Sequence, residues 1–173
     1  LYGLKYPEIK VWGQGYIGMI PVPIILTVII FGISAYLFYK TKFGRYTVSI
    51  GSNEEAAKLV GINVDKIKIL VFVLSGVFCA IAGIILASRS EAAIPTAGNA
   101  YEMDAIAATV IGGTSMSGGK GNMFGTALGA ILMATIKNGL SLLNVNTFWH
   151  QVVIGLFILF AVALDGFAAK KVN

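Results

Sequence analysis

Apolar residues fall in long unbroken blocks along this chain, separated by shorter polar intervals. Residues 11–39 run 29 positions without a charged side chain. About 20 apolar residues suffice to cross the hydrocarbon core of a bilayer, so this block predicts one full span, placed at 18–39. Pro21 and Pro23 stand at its start, where a missing backbone donor costs little. Residues 69–88 form a second charge-free block of 20 positions, which predicts a long helix over 64–89. Within it Ser75, Cys79, Gly83 and Ala87 recur every four residues, with Gly76 and Ala80 beside them. Such a small-residue stripe lets another helix approach closely. Leu70, Phe72, Val73, Phe78, Ile81 and Ile85 are the expected lipid-facing positions. Residues 105–119 give only 15 charge-free positions and end in a Gly-, Ser- and Thr-rich stretch. A short, Gly-interrupted apolar segment reads as a broken or half helix, whose irregular backbone must be buried in protein or line a water-filled cavity. Spans over 121–143 and 148–164 complete the pattern, with the break between them at Asn144, Asn146 and Thr147.

The longest polar interval between two spans, 40–68, has structure of its own. Ser52 and Glu55 have the spacing of a capping box, and Glu54 and Glu55 fall in a first turn, where acids favour the helix dipole. Ala56, Ala57, Lys58 and Leu59 are good helix formers. Gly61 suits a left-handed C-terminal cap, and Asn63 suits an N-cap with Asp65 just behind it. The interval is therefore expected to hold a short helix over 53–60, a Gly-Ile-Asn turn, and the start of the long helix.

Composition and charge turn this pattern into a membrane topology. The chain is 57% hydrophobic and 12% charged, with a mean hydropathy of +0.82, where an ordinary soluble domain carries about 25% charged residues. The net charge of +5 does not point to nucleic acid, because the basic residues cluster beside the apolar blocks, as the positive-inside rule expects. Lys40, Lys42, Arg45, Lys58, Lys66 and Lys68, against Glu54, Glu55 and Asp65, assign 40–68 to the cytoplasmic side. Lys170 and Lys171 assign the C-terminus to the same side. The segment 89–104 carries Arg89 against Glu91, Glu102 and Asp104 and is assigned to the outer side. Parity then allows two arrangements of the remaining chain. Either 105–119, 121–143 and 148–164 each cross, or one crossing accompanies a re-entrant pair; the first is preferred and gives five spans. Tyr2, Tyr6, Trp12 and Tyr16 suit an interfacial aromatic belt. The chain starts at Leu1 without a signal-peptide pattern, and it is expected to be a piece of a longer protein. The expected fold class is all-α: a polytopic integral membrane protein of about five transmembrane helices, with a short cytoplasmic helix and a short Gly-interrupted membrane segment.

Catalytic chemistry is not indicated. His150 is the only histidine and Cys79 the only cysteine, so neither a multi-histidine metal site nor an internal disulfide can form. Residues 112–122, GGTSMSGGKGN, superficially look like a phosphate-binding loop. Gly121 comes directly after Lys120, however, where such a loop needs Ser or Thr, and no strand is expected before it. No cofactor is expected.

Glu55-Ala56-Ala57, with Gly61 four positions on, gives the spacing EAA-x-x-x-G in a cytoplasmic interval. This looks like the loop by which permeases of ATP-binding-cassette importers engage their ATPase subunits. Two longer stretches, GRYTVSIGSNEEAAKLVGINVDKIKILVF and PTAGNAYEMDAIAATVIGGTSMSGGKGNMFGTALGA, resemble the permease subunits of ribose-type and related monosaccharide importers of that class. The resemblance covers about 20–165, in family order; the Leu-Pro that closes the loop in other importer classes is absent. It implies a single transmembrane permease domain over 1–173, the C-terminal half of a longer chain, in the cell inner membrane and without catalysis of its own. It also implies partners: ATPase subunits, an external sugar-binding protein, a second permease copy and membrane lipid, but no nucleic acid. Asn53, Glu54, Glu55, Ala56, Ala57, Lys58 and Gly61 become the expected ATPase-coupling helix, with Ala56, Leu59 and Ile62 as its apolar footprint. Asp104, Thr109, Gly112, Gly113, Thr114 and Ser115 become the candidate translocation path.

Plainer roles stand beside these. Asp104 suits an N-cap, the hydroxyls of Thr109, Thr114 and Ser115 suit bonds back to helix carbonyls, and Lys137 suits snorkelling at the outer end of its span. Segments 1–17 and 89–104 are candidate contacts for the binding protein. The solute stays open among ribose, other monosaccharides, polyols and nucleosides, with branched-chain amino acids as the alternative. An ion-coupled secondary transporter is the competing mechanism, against which the scarcity of ionisable residues inside the spans argues.

Overall fold

The computed structural model describes residues 7–92 and 94–170. In chain order the elements are α1 (Pro7–Gln14), β1 (Tyr16–Ile17), β2 (Ile20–Pro21), α2 (Val22–Lys40), α3 (Lys42–Ser52), α4 (Glu54–Leu59), α5 (Val64–Ser90), α6 (Tyr101–Ile111), α7 (Met123–Leu142) and α8 (Thr147–Lys170). Among the described residues they form two compact units, one of 7–47 with 55–99 and one of 48–54 with 100–170.

The apolar blocks become helices. Among the described residues α2, α5 and α7 are long and apolar enough to cross a membrane, and α8 contributes a shorter apolar stretch, Trp149–Leu159. Helix α2 starts at Val22, later than expected, because β1 and β2 pair antiparallel and leave Pro21 extended at the N-cap position. The expected crossing over 105–119 takes another form. Helix α6 begins earlier, at Tyr101, and stops at Ile111, after 11 residues. At ~1.5 Å per residue that is a rise of about 16 Å, against about 30 Å of hydrocarbon. Two helices were not foreseen: α1, in the mixed segment at the start, and α3, in what reads as loop.

In the first unit α1 packs on α5. Gly13 permits the approach, since a Cβ there would lie 2.5 Å from the Arg89 backbone nitrogen and 2.6 Å from Ser88 Oγ. Gln14 Nε2 donates to the Arg89 carbonyl at 3.3 Å. On α5, Leu70, Phe72 and Val73 are exposed, whereas Phe78, Ile81 and Ile85 are half-buried. The small-residue stripe is open: Ser75, Cys79 and Ala80 are exposed and nothing lies within 4 Å of where a Cβ on Gly76 or Gly83 would stand. Trp12 and Tyr16 of the expected aromatic belt are exposed. Tyr2, Tyr6 and Lys171 lie outside the described residues.

In the second unit α6 and α7 form an antiparallel hairpin. Gly112 meets Gly125 near the turn, and Gly129 meets Ala108 one turn further along, each close enough that a methyl group would overlap the facing backbone. Helix α8 closes the unit, with Ile154 packed against Ala107, Ala108 and Met133 in its small buried core. Small side chains set this geometry, because they let helix backbones come together in a medium that gives apolar helices no hydrophobic reason to associate.

Candidate functional site

Helix α4 is a short, exposed, sharply ended element. Its end is a Schellman motif: Gly61 N–H donates to the Lys58 carbonyl at 3.0 Å and Ile62 N–H to the Ala57 carbonyl at 3.1 Å. Gly61 has φ +83, which a residue with a Cβ adopts only at a cost. Asn63 then caps α5 as expected, its side chain accepting from Lys66 N–H at 3.1 Å. At the other end the expected capping box is displaced. Ser52 closes α3 instead of opening α4, and Asn53 is the residue between the two helices. On α4 only Ala57 is buried; Glu55, Ala56 and Lys58 are exposed, Leu59 is 88% exposed, and Val60 beyond it is 76% exposed. Two apolar side chains thus stand exposed in a charged interval.

The residues just before α4 belong to the second unit, and there they touch the α6–α7 turn. A Cβ at Gly118 would overlap the carbonyl oxygen of Gly51, while a Cβ at Gly119 would stand 3.1 Å from Ser52 Cβ. Gly118 has φ +85, so both its conformation and its surroundings demand glycine. The turn is held from within. Thr114 N–H donates to the Thr109 carbonyl at 3.0 Å and Ser115 N–H to the Lys120 carbonyl at 3.2 Å. Thr114 Oγ1 accepts from Asn122 N–H at 3.4 Å, and Asn122 caps α7 by accepting from Gly125 N–H at 3.0 Å.

These bonds separate the candidate pathway residues. Gly112 and Gly113 build the hairpin turn, Thr109 Oγ1 donates to the Ile106 carbonyl at 2.8 Å, and Ser115 Oγ accepts from Ser117 N–H at 3.3 Å. The Thr109 hydroxyl bonds back to a helix carbonyl, whereas Thr114 Oγ1 and Ser115 Oγ accept from backbone N–H groups of the turn. Asp104 stands eight residues before Gly112, about 12 Å away along the helix. It is not a cap, since the N-cap position of α6 is Ala100. Its Oδ2 instead accepts from Lys137 Nζ on α7. Lys137 therefore does not snorkel freely; its ammonium bonds Asp104 and lies 5.4 Å from the centroid of the Tyr101 ring, a cation–π contact. Sequence reasoning weighed Asp104 and Lys137 apart, because 33 positions separate them and only the antiparallel register of α6 and α7 brings them together.

Over residues 5–162 the sequence matches the family described as branched-chain amino acid transport system / permease component. The chain belongs to this permease family. Within it, the chain is 50% identical over 156 residues to the ribose import permease protein of Bacillus subtilis (strain 168), covering 90% of this chain and 48% of that protein. It is 46% identical over 159 residues to the ribose import permease protein of Haemophilus influenzae, covering 92% and 49%. It is 47% identical over 152 residues to the xylose transport system permease protein of the same organism, covering 88% and 40%. The chain thus spans about half the length of the curated relatives it matches. No solved structure matches this permease sequence with significance.

Proposed function

We propose that this chain is part of the transmembrane subunit of an ATP-binding-cassette importer that moves a monosaccharide, ribose or a close relative, across the cell inner membrane. The observation that carries the reading is α4: a discrete helix with an EAA-x-x-x-G sequence, an exposed apolar end at Leu59 and Val60, and a glycine-capped stop. The names of the ribose and xylose permeases at 46–50% identity support a pentose over the amino acids of the family's description.

In this mechanism a separate ATPase subunit binds and hydrolyses ATP. Asn53, Glu54, Glu55, Ala56, Ala57, Lys58 and Gly61 form or bound the helix that seats in a groove of that subunit. Leu59 and Val60 fill the groove and the charged side chains set the register. Closure of the ATPase dimer displaces α4. The displacement reaches the α6–α7 hairpin through Gly51 and Ser52, which abut Gly118 and Gly119 three and two residues before α4 begins. A second permease copy and an external sugar-binding protein complete the assembly. The interval 40–68 and the C-terminus face the cytoplasm, where their basic residues belong.

The test is reconstitution of the full-length permease with its ATPase and binding protein in proteoliposomes. Wild-type vesicles are expected to take up ribose or xylose with ATP consumption. The double variant Glu55→Lys, Gly61→Pro is expected to insert normally and lose uptake, because proline cannot adopt the positive φ at position 61. Wild-type uptake by that variant would sink the coupling role, and uptake of leucine but of neither pentose would reassign the solute.

A further inference from the structure

We propose that the open end of the α6–α7 hairpin is a subsite for a neutral polyhydroxylated ligand, one sugar ring, with Asp104 and Lys137 as its polar contacts; this rests on the transport reading above. The two side chains face a groove of about 340 Å³, lined also by Tyr101, Ala105, Ala108 and Ala134. Small-molecule sites run from about 300 to 1,000 Å³ and are largely apolar with a few convergent polar groups, which describes this one. Lys137 sits within α7, a helix long and apolar enough to cross a membrane, where ionisable residues are costly.

The hydrogen bonds left open define the ligand. Asp104 Oδ1 is buried without a partner, although Oδ2 is bound to Lys137. A buried carboxylate oxygen in that state lacks a donor, and a ligand in the groove reaches it only when the partly exposed Asp104 carboxylate turns outward. The Lys137 ammonium has three donors, of which one goes to Asp104. A free acceptor beside a free donor matches a hydroxyl group, which gives one hydrogen bond and takes another, and a vicinal diol matches it twice. The pair is neutral as a whole, so it exerts no net pull on an anion or a cation. Tyr101 holds the ammonium through its ring face and fixes where those donors point.

A second orphan lies at the same level. His150 Nε2 is also buried without a partner. It stands one turn before Ile154 on α8, and Ile154 packs on Ala107 and Ala108, one turn beyond Asp104 on α6. Since α7 runs back along α6 and a four-residue link joins it to α8, α6 and α8 start from the same end. Two unsatisfied polar atoms therefore occur toward the same end of the unit, with His150 outside the residues that line the groove.

The experiment uses the full-length permease in proteoliposomes with its ATPase and binding protein, reading uptake of radiolabelled ribose and xylose and ATP hydrolysis in the same vesicles. Asp104→Asn is expected to raise the KM for uptake about tenfold, the effect of one charge-assisted hydrogen bond, with ATP hydrolysis retained. Exchange of the pair, Asp104→Lys with Lys137→Asp, preserves the attraction but moves the free acceptor, and uptake is expected to stay impaired. Ala134→Leu narrows the groove without touching either charge, is expected to raise KM as well, and serves where Asp104→Asn does not fold. Full rescue by the exchange, or an unchanged KM in Ala134→Leu, would overturn the proposal and leave the pair as a clasp between helices. A wild-type assembly that takes up neither pentose would overturn the transport reading itself, whereas normal uptake by every variant would remove only this subsite.

Discussion

At its turn the α6–α7 hairpin is closed by glycine on backbone, Gly112 against Gly125, with Gly118 against Gly51 beside it. At its open end the same two helices face each other through Asp104, Lys137 and Tyr101. The first end is closed mainly by backbone on backbone, with the Ser52 and Asn122 side chains close by. Displacement of one strand of chain must move the other, because close-packed atoms transmit strain rather than absorb it. The second end is made of side chains that can turn and exchange partners. The Lys137 and Asp104 side chains are 33% and 21% exposed, a part-buried pair. On the proposed reading, one hairpin joins a backbone-packed end that receives force and a side-chain end that contacts a solute.

Substitutions can break this contrast, and the largest effect is expected at the rigid end. Gly112→Leu drives a side chain into the backbone of Gly125 and Thr126 and is expected to cost more than about 3 kcal/mol, seen as loss of folded protein by size-exclusion profile in detergent. Gly118→Ala is expected to cost about 1–2 kcal/mol from its positive φ alone, with a further penalty from overlap with the Gly51 carbonyl. A thermal-shift assay checks the stability loss, and sugar taken up per ATP hydrolysed checks the coupling. Thr126→Val removes the hydroxyl that donates to the Asn122 carbonyl at 2.9 Å and is expected to cost only about 0.5–1.5 kcal/mol with uptake unchanged. If Thr126→Val impaired coupling as strongly as Gly118→Ala, the turn would be acting through its side-chain hydrogen bonds and not through backbone contact.

The parts of this structure legible in the sequence are those governed by local chemistry. Gly61 and Asn63 mark the end of α4 and the start of α5 through hydrogen bonds to residues at most five positions away, so the sequence pattern alone locates them. Asn144 ends α7 in the same way, with φ 54 and Val145 N–H donating back to the Leu140 carbonyl at 3.1 Å. The long apolar blocks locate α2, α5 and α7 for an equally local reason. Helix α3 was hidden because Gly44, Thr47, Val48, Ile50 and Gly51 are poor helix formers. Its Gly44 is buried where a Cβ would overlap the Phe38 carbonyl across the α2–α3 junction, a reason for glycine that propensity cannot see. The Asp104–Lys137 pair was hidden for the reason that hides most sites. Its register depends on where Gly112 meets Gly125 and Ala108 meets Gly129, and nothing in either residue's neighbourhood announces the other.

The most direct measurement places Gly118→Ala and Asp104→Asn side by side in vesicles containing the whole transporter, tracking pentose uptake and ATP hydrolysis together. A division of labour along the hairpin predicts opposite signatures. Gly118→Ala lowers the sugar delivered per ATP while leaving KM near the wild-type value, and Asp104→Asn raises KM while leaving the sugar delivered per ATP unchanged at saturation. The same change in both quantities for both variants would contradict it.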